Sequence, residues 1–189
     1  MKPARLGLDE IQPDDLLLLD YSGQVLSGRH ARHEEFPIHA EVFRARPEVA
    51  CVVHTHPPYS IAFGARGGRL RPVSHEANFF WPHGVPVFDR FTDLVKTSGQ
   101  GQMVAAALGQ GAALFLRNHG IVVAHESIEE AVWAALSLER AAQLQLLAQP
   151  SPDAPLLHTP EEEMPHKKAS IWSADRARAV FDYYARRLG

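Results

Sequence analysis

Two histidines stand two residues apart at the end of an apolar run, in the segment Val52-Val53-His54-Thr55-His56. On a β-strand successive side chains alternate between faces, so His54 and His56 would point to the same side of a sheet. Two neighbouring imidazoles on one face can both bind the same transition metal. This feature predicts a buried strand that ends at a metal site.

A third histidine and an acidic residue extend the pattern. His119 lies in a tight Asn-His-Gly turn, from which a side chain can be directed into a cleft. A lone H-x-H pair could simply be hydrogen-bonded to the backbone, but three neutral imidazoles leave one coordination position open, as in catalytic metal sites. Glu35 could face the metal as a ligand or general base, or could be a solvated carboxylate at a helix start, as Glu34 is expected to be. Composition alone does not distinguish Glu35 from Glu34.

Strand and helix signals alternate along the chain. The pattern predicts strands near 16–20, 25–26, 49–53, 85–88, 112–116 and 121–124, and helices near 37–46, 59–65, 103–108, 127–147 and 173–187. Several connections are short enough for hairpins. These signals predict an α/β fold, a three-layer α/β/α sandwich with a largely antiparallel or mixed central sheet. We expect one domain over residues 1–189, with its core at about 10–148, a proline-rich linker at 149–165 and a C-terminal helix at about 173–187.

Charge and cysteine content exclude several classes of protein. The 19 basic and 22 acidic residues give a net charge of -3, and no basic stripe indicates a nucleic-acid or membrane-surface partner. No apolar run is long enough to span a bilayer, and the first residues lack a signal-peptide core. A single cysteine, Cys51, fits a reducing compartment. We therefore expect a cytoplasmic protein that acts on a small molecule.

The motifs around these residues resemble the class II aldolase/adducin family. The likeness covers roughly residues 10 to 148, and its motifs recur in the family's order and spacing. They are Glu35-Phe-Pro-Ile-His39, Arg46-Pro47, Val52-Val-His-Thr-His-Pro57, Leu116-Arg-Asn-His-Gly120 and the helix start Ser127-Ile-Glu-Glu-Ala131.

By this resemblance, His54, His56 and His119 match the family's metal-binding histidines. Glu35 matches the aldolases' catalytic glutamate, which takes the substrate proton and can be a fourth ligand. The resemblance implies Zn²⁺, with Mn²⁺, Fe²⁺ and Co²⁺ as alternatives because the same ligands suit all four metals. It also implies a homo-oligomer, a tetramer with its sites at subunit interfaces.

The resemblance implies a divalent-metal-dependent lyase of the aldolase type, which cleaves a carbon–carbon bond of a hydroxy-carbonyl substrate through a metal-stabilised enediolate. One alternative is a metal-dependent decarboxylase of a carboxylated hydroxy or aromatic substrate. Another is a non-catalytic, adducin-like interaction module.

The chain departs from the sugar-phosphate aldolases of the family at their phosphate end. His33-Glu34 stands where those aldolases have two serines, and an acid there would repel phosphate. The N-terminal part that carries the rest of the phosphate site is expected to be missing. The aldolases' protonating tyrosine would fall near Glu76, so the proton donor is not identified.

Four further residues are candidates for supporting or substrate-binding roles. The segment 70–76 resembles the decarboxylase-type branch, and there Arg71 could pair with a carboxylate while His75 or Glu76 could transfer protons. His39 lies one helical turn from Glu35 and could support it. Each of the four could instead be an ordinary loop or packing residue.

Overall fold

The structure is a computed structural model that describes residues 1–148 and 153–188. Its strands are β1 (Leu18–Leu19), β2 (Val25–Ser27), β3 (Cys51–Thr55), β4 (Val87–Phe88), β5 (Ala113–Leu116) and β6 (Gly120–His125). Its α-helices are α1 (Phe36–Ala45), α2 (Pro58–Arg66), α3 (His75–Asn78), α4 (Ser98–Leu108), α5 (Ile128–Leu147), α6 (Met164–Ile171) and α7 (Ala174–Ala185). Short 3₁₀ turns cover Pro13–Asp15 and Glu161–Glu163.

The chain folds as two compact units, and the first comprises residues 1–47 and 93–106. In this unit β1 and β2 form an antiparallel pair. Helix α1 carries a buried carboxylate, Glu41, which accepts hydrogen bonds from Ser98 Oγ at 2.5 Å and from Arg44 Nη1 at 2.6 Å. These bonds offset the cost of burying a charge and tie α1 to the start of α4.

The second unit comprises residues 48–92 and the chain from 107 onwards, and is built on a four-stranded sheet in the order β3-β6-β5-β4. Strand β6 runs antiparallel to both β3 and β5, whereas β4 runs parallel to β5. The carboxyl ends of β3, β4 and β5 therefore lie at the same edge of the sheet. This mixed sheet confirms the α/β class and the mixed central sheet that the sequence predicts.

Helices α2 and α5 pack against this sheet and against each other, and α7 packs against α5. All residues of β5 are buried, which explains why its sequence is a continuous apolar run rather than an alternating one. Helix α5 starts where the capping pattern places it. Ser127 Oγ accepts the backbone N–H of Glu130 at 3.2 Å and donates to Glu130 Oε2 at 2.9 Å.

Two helices are absent from the sequence prediction. Helix α3 has four residues, too few for a periodic pattern. Helix α6 begins inside the segment predicted as a linker, because Pro165 lies in its first turn, where a missing N–H costs nothing. Of that predicted linker, residues 149–152 lie outside the described residues. Helix α7 lies within the predicted C-terminal helix, and Ser173 Oγ caps it by accepting from Arg176 N at 3.3 Å.

A bilayer crossing needs a long helix that is also strongly apolar. None of the helices within residues 1–148 and 153–188 meets both requirements.

Candidate metal centre

His54, His56 and His119 come together at the carboxyl edge of the second unit's sheet. Their ring centroids are 4.9 Å apart for His54 and His56, 4.9 Å for His54 and His119, and 5.1 Å for His56 and His119. One ring nitrogen of each histidine lies within 4.8 Å of the corresponding nitrogens of the other two. Strand alternation and the Asn-His-Gly turn thus bring together the three side chains that the sequence singles out.

The sheet fixes the orientation and the tautomer of His54. Strand β3 places His54 opposite Val122 of β6, and the His54 Nδ1–H donates to the carbonyl oxygen of Ile121 at 2.8 Å. A carbonyl can only accept, so the hydrogen is on Nδ1 and Nε2 is the nitrogen able to bind a metal. In metal sites histidines are commonly oriented by such a second hydrogen bond.

The spacing of the nitrogens fits a metal. His56 Nε2 lies 3.3 Å from His54 Nε2. Two nitrogens that each bind a tetrahedral zinc at about 2.0–2.1 Å are themselves roughly 3.3 Å apart. The observed distance and the nitrogen donor set therefore suit a tetrahedral divalent metal.

The turn that carries His119 depends on its two neighbours in the sequence, Asn118 and Gly120. Asn118 has a φ of 59°, a left-handed conformation that asparagine adopts more readily than most residues. At Gly120, a Cβ atom would collide with the carbonyl oxygen of Thr55 and would lie 2.7 Å from His56 Cδ2. Asparagine and glycine thus allow β6 to start directly against the strand that ends at His56.

A carboxylate from α5 fixes the helix that follows the histidine pair. Glu139 Oε1 accepts from the backbone N–H of Tyr59 at 3.0 Å, and Oε2 accepts from the N–H and the hydroxyl of Ser60, both at 2.8 Å. These N–H groups belong to the first turn of α2 and have no partner within the helix. Sequence reasoning missed Glu139, because no local signal links residues about 80 positions apart in the chain.

Glu35 and Glu34 have different surroundings within the first unit. Glu35 is 2% exposed, and its Oε1 accepts the backbone N–H of Val95 at 2.8 Å. Its own N–H donates to His33 Nδ1 at 3.2 Å. Glu34 is exposed and forms an ion pair of 2.6 Å with Lys96. The structure therefore separates a buried, oriented carboxylate at position 35 from a surface carboxylate at position 34.

The Glu34–Lys96 pair also changes the electrostatics expected at this position. The hydrogen bond and the positive charge of Lys96 lower the pKa of Glu34, and the same contact raises the pKa of Lys96. From sequence alone, an acid at position 34 is expected to repel phosphate, but in the structure Lys96 lies beside it. Because Lys96 compensates the charge of Glu34, electrostatics at position 34 argue only weakly against a phosphorylated substrate.

The other four candidate residues have different surroundings. His39 is half-buried on α1 in the first unit, and His75 is exposed at the start of α3. Glu76 lines a groove beside α5 and α7, whereas Arg71 lines a separate cavity and donates to His158 Nε2 at 3.0 Å. Among the described residues that line these two depressions, none belongs to the histidine cluster.

Comparison with known proteins gives a consistent family assignment. Residues 1–146 match the family model described as the class II aldolase and adducin N-terminal domain. The chain is 39% identical over 149 residues to the decarboxylase NovR of Streptomyces niveus, which covers 77% of this chain and 54% of that protein. It is 28% identical over 169 residues to a 5-deoxy-D-ribulose 1-phosphate aldolase of Bacillus thuringiensis serovar kurstaki, with coverages of 87% and 75%.

A solved structure of an aldolase II superfamily protein from Pseudomonas syringae superimposes with a TM-score of 0.83 at 24% identity, over 99% of this chain and 76% of that one. At this identity the match shows a shared fold. The chain spans about half the length of some of the curated relatives that it matches, 54% and 53% in two cases.

Proposed function

The chain belongs to the class II aldolase and adducin family, and from that premise we propose that it is a divalent-metal-dependent carbon–carbon lyase. The observation that carries the proposal is the convergence of His54, His56 and His119, with nitrogens spaced as metal ligands. A non-catalytic, adducin-like module is the alternative. Such a module would not require three imidazoles to converge, or a backbone carbonyl to fix the tautomer of His54.

In this proposal the three histidines hold the metal through their ring nitrogens. Zn²⁺ is the first choice, and Mn²⁺, Fe²⁺ and Co²⁺ are alternatives that accept the same donors. When bound, the metal would act as a Lewis acid on a carbonyl and an adjacent hydroxyl oxygen of the substrate. The hydrogen bond from His54 to Ile121 holds one ligand in the metal-binding tautomer.

Glu35 is proposed as the general base, and as a fourth ligand before substrate binds. Its burial and its hydrogen bond from Val95 hold the carboxylate in one orientation. A fixed orientation supports this role, because proton transfer needs the base within hydrogen-bond reach of the proton it removes. His39, His75 and Glu76 are further proposals for contacts to substrate or to these residues, whereas Arg71 lines a separate cavity.

Two reactions fit this machinery. The first is an aldol cleavage, which releases an aldehyde from a hydroxy-carbonyl compound. The second is decarboxylation of a carboxylated hydroxy or aromatic compound, which is favoured by the 39% identity to a protein named as a decarboxylase. In both reactions negative charge develops next to an oxygen that a Lewis acid polarises.

We also propose that the protein is a cytoplasmic homotetramer with its sites at subunit interfaces, as the family resemblance implies. Analytical ultracentrifugation of the full chain would test the assembly. A stable monomer at micromolar concentration would contradict this part of the proposal.

The reaction can be tested with the full chain, purified and loaded with Zn²⁺. A panel of small hydroxy-carbonyl and hydroxy-carboxylate compounds is incubated with it, and released aldehyde and carbon dioxide are measured separately. We expect one product class, lost on chelation and restored by added metal. Product formation that is unchanged in a His54→Ala/His119→Ala variant would contradict the proposal, and His166→Ala, an exposed histidine on α6, is the matched control.

A further inference from the structure

The second unit contains a cavity of about 250 Å³ away from the histidine cluster. Gly84 and Val85 line it and lie shortly before β4, from which Pro86 separates them. Because β3, β4 and β5 run in the same direction, the amino end of β4 lies at the edge of the sheet opposite to the edge where His56 and His119 follow their strands. The cavity is therefore distinct from the candidate metal centre.

The cavity has a mixed lining, in which polar and apolar side chains have about equal shares. Phe80, Trp81, Pro82 and Met164 are among the apolar residues, and the exposed Arg71 adds a cation. Small-molecule sites use apolar and aromatic side chains for contact area and a few polar groups to orient the ligand. The volume lies just below the usual range for drug-sized ligands, so it suits a ligand with a single ring.

Arg71 is held in place without being neutralised. Its Nη1 donates to His158 Nε2 at 3.0 Å, and His158 Nδ1 donates to the carbonyl oxygen of Thr159 at 3.1 Å. A guanidinium has only donors, so in this arrangement His158 accepts at Nε2. Within residues 1–148 and 153–188 no carboxylate pairs with Arg71, so its charge is available to an anion.

The loop that carries Arg71 is fixed before any ligand binds. Gln145 Oε1 accepts from Arg71 N at 2.7 Å, and Gln145 Nε2 donates to the carbonyl oxygen of Arg69 at 3.0 Å. On the other side, Thr159 N donates to the carbonyl oxygen of Pro72 at 3.0 Å. A wall that is already ordered lowers the entropic cost of binding.

From this arrangement we propose that the cavity binds a small carboxylic acid with a ring-sized apolar body. The carboxylate pairs with the Arg71 guanidinium, which can present two parallel N–H donors to it. The ring lies against Phe80 and Trp81. Glu161 also lines the cavity, and its carboxylate opposes the ligand's charge, which sets the affinity lower than Arg71 alone would give.

Isothermal titration of the full chain, without added metal, tests the proposal with three probes. Benzoate carries both the ring and the charge, benzamide carries the ring alone, and acetate carries the charge alone. We expect saturable 1:1 binding of benzoate, with both other probes weaker by about tenfold or more because each lacks one of the two contacts. Absence of saturable benzoate binding, or equal binding of inorganic phosphate, would overturn the proposal.

Variants then locate the site. Arg71→Met should weaken benzoate binding by about tenfold or more, whereas Arg90→Met, at another exposed arginine, should not change it. Glu161→Gln should tighten binding. The His54→Ala/His119→Ala variant should bind benzoate like the wild type, which separates this site from the proposed metal centre. Benzoate binding that survives Arg71→Met, or that is lost with the two histidines, would show that the cavity is not the site.

Discussion

The imidazole of His54 donates its Nδ1 hydrogen to the carbonyl oxygen of Ile121 on the adjacent strand, 2.8 Å away. This contact depends on the register of β3 and β6, in which His54 lies opposite Val122. A shift of one residue would turn the histidine to the other face of the sheet. The geometry of the proposed metal ligands is therefore set by strand pairing, and variants that disturb the pairing should disturb metal binding too.

Gly120→Ala tests this dependence directly. The added Cβ would collide with the carbonyl oxygen of Thr55 and would lie 2.7 Å from His56 Cδ2, so β6 must move away from β3. We expect a loss of about 1–3 kcal/mol in the free energy of unfolding and weaker metal binding. Urea denaturation and metal titration measure the two effects.

Gly99→Ala is the matched control for that variant. A Cβ at Gly99 meets no atom within 4 Å, and the residue lies in the first turn of α4. This substitution should be neutral or should stabilise the protein by up to about 1 kcal/mol, because alanine restricts the unfolded chain. Equal destabilisation by the two substitutions would refute the steric explanation.

Glu139→Gln should loosen the start of α2 next to the histidine pair. The carboxylate accepts three hydrogen bonds from Tyr59 and Ser60, and an amide replaces one accepting oxygen by a donor that faces N–H groups. We expect a loss of about 1–3 kcal/mol in the free energy of unfolding. Glu162→Gln, at an exposed position, should leave the free energy of unfolding unchanged. An equal loss of stability in both variants would argue against the capping of α2 by Glu139.

Glu35→Gln should separate catalysis from folding. The amide oxygen can still accept the Val95 N–H, so the fold and the histidines should be preserved. Loss of the basic oxygen should lower kcat by about 10²–10⁴-fold. Glu34→Gln, at the neighbouring surface residue, should retain activity within a few-fold, and a Glu35→Gln variant with wild-type turnover would exclude Glu35 as the base.

The first unit should show a pH-dependent stability that depends on Asp15. This buried carboxylate accepts from Arg29 Nη2 at 2.9 Å, from Gln12 N at 3.0 Å and from His30 Nε2 at 2.8 Å. Mainly through Arg29, and then through Gln12 and His30, the pKa of Asp15 falls well below its usual 3.8. The native state therefore favours the ionised form, and this stabilisation is present above pH 3.8 and is lost as the pH falls through the lowered pKa.

Asp15→Asn should accordingly lower Tm at pH 7, and the difference from wild type should shrink as the pH falls below 3.8. Asp14→Asn, at an exposed neighbour, should have little effect at either pH. Thermal denaturation, followed by circular dichroism at pH 7 and at a pH below 3.8, measures the Tm of each variant and of the wild type. A difference in Tm for Asp15→Asn that does not vary with pH would contradict the lowered pKa.

The sequence indicates the histidine cluster because strand alternation is strictly periodic and a turn of Asn, His and Gly has few conformations. It also predicts most elements of the sheet, since their apolar runs are long enough to detect. It does not reveal the partners that orient His54 and Glu35. The Ile121 carbonyl and the Val95 N–H are backbone groups, and almost any residue type could supply them, with proline excluded at position 95 because it has no N–H.

The sequence does not indicate other features, either because the residues involved are far apart in the chain or because the element is short. The cap on α2 comes from Glu139, about 80 residues along the chain, so no local pattern signals it. Helix α3 is too short to show periodicity, and the prolines around Pro165 obscured the start of α6. The environment that separates Glu35 from Glu34 depends on Val95 and Lys96, which follow about 60 residues later.

The metal content of the purified full chain shows whether His54, His56 and His119 bind a metal. The protein is loaded with Zn²⁺, dialysed and analysed by inductively coupled plasma mass spectrometry, alongside His54→Ala/His119→Ala and the control His166→Ala. We expect about one metal ion per chain in the wild type and the control, and almost none in the double variant, which lacks two of the three proposed histidine ligands. Stoichiometric metal retained by a folded His54→Ala/His119→Ala variant would contradict this expectation.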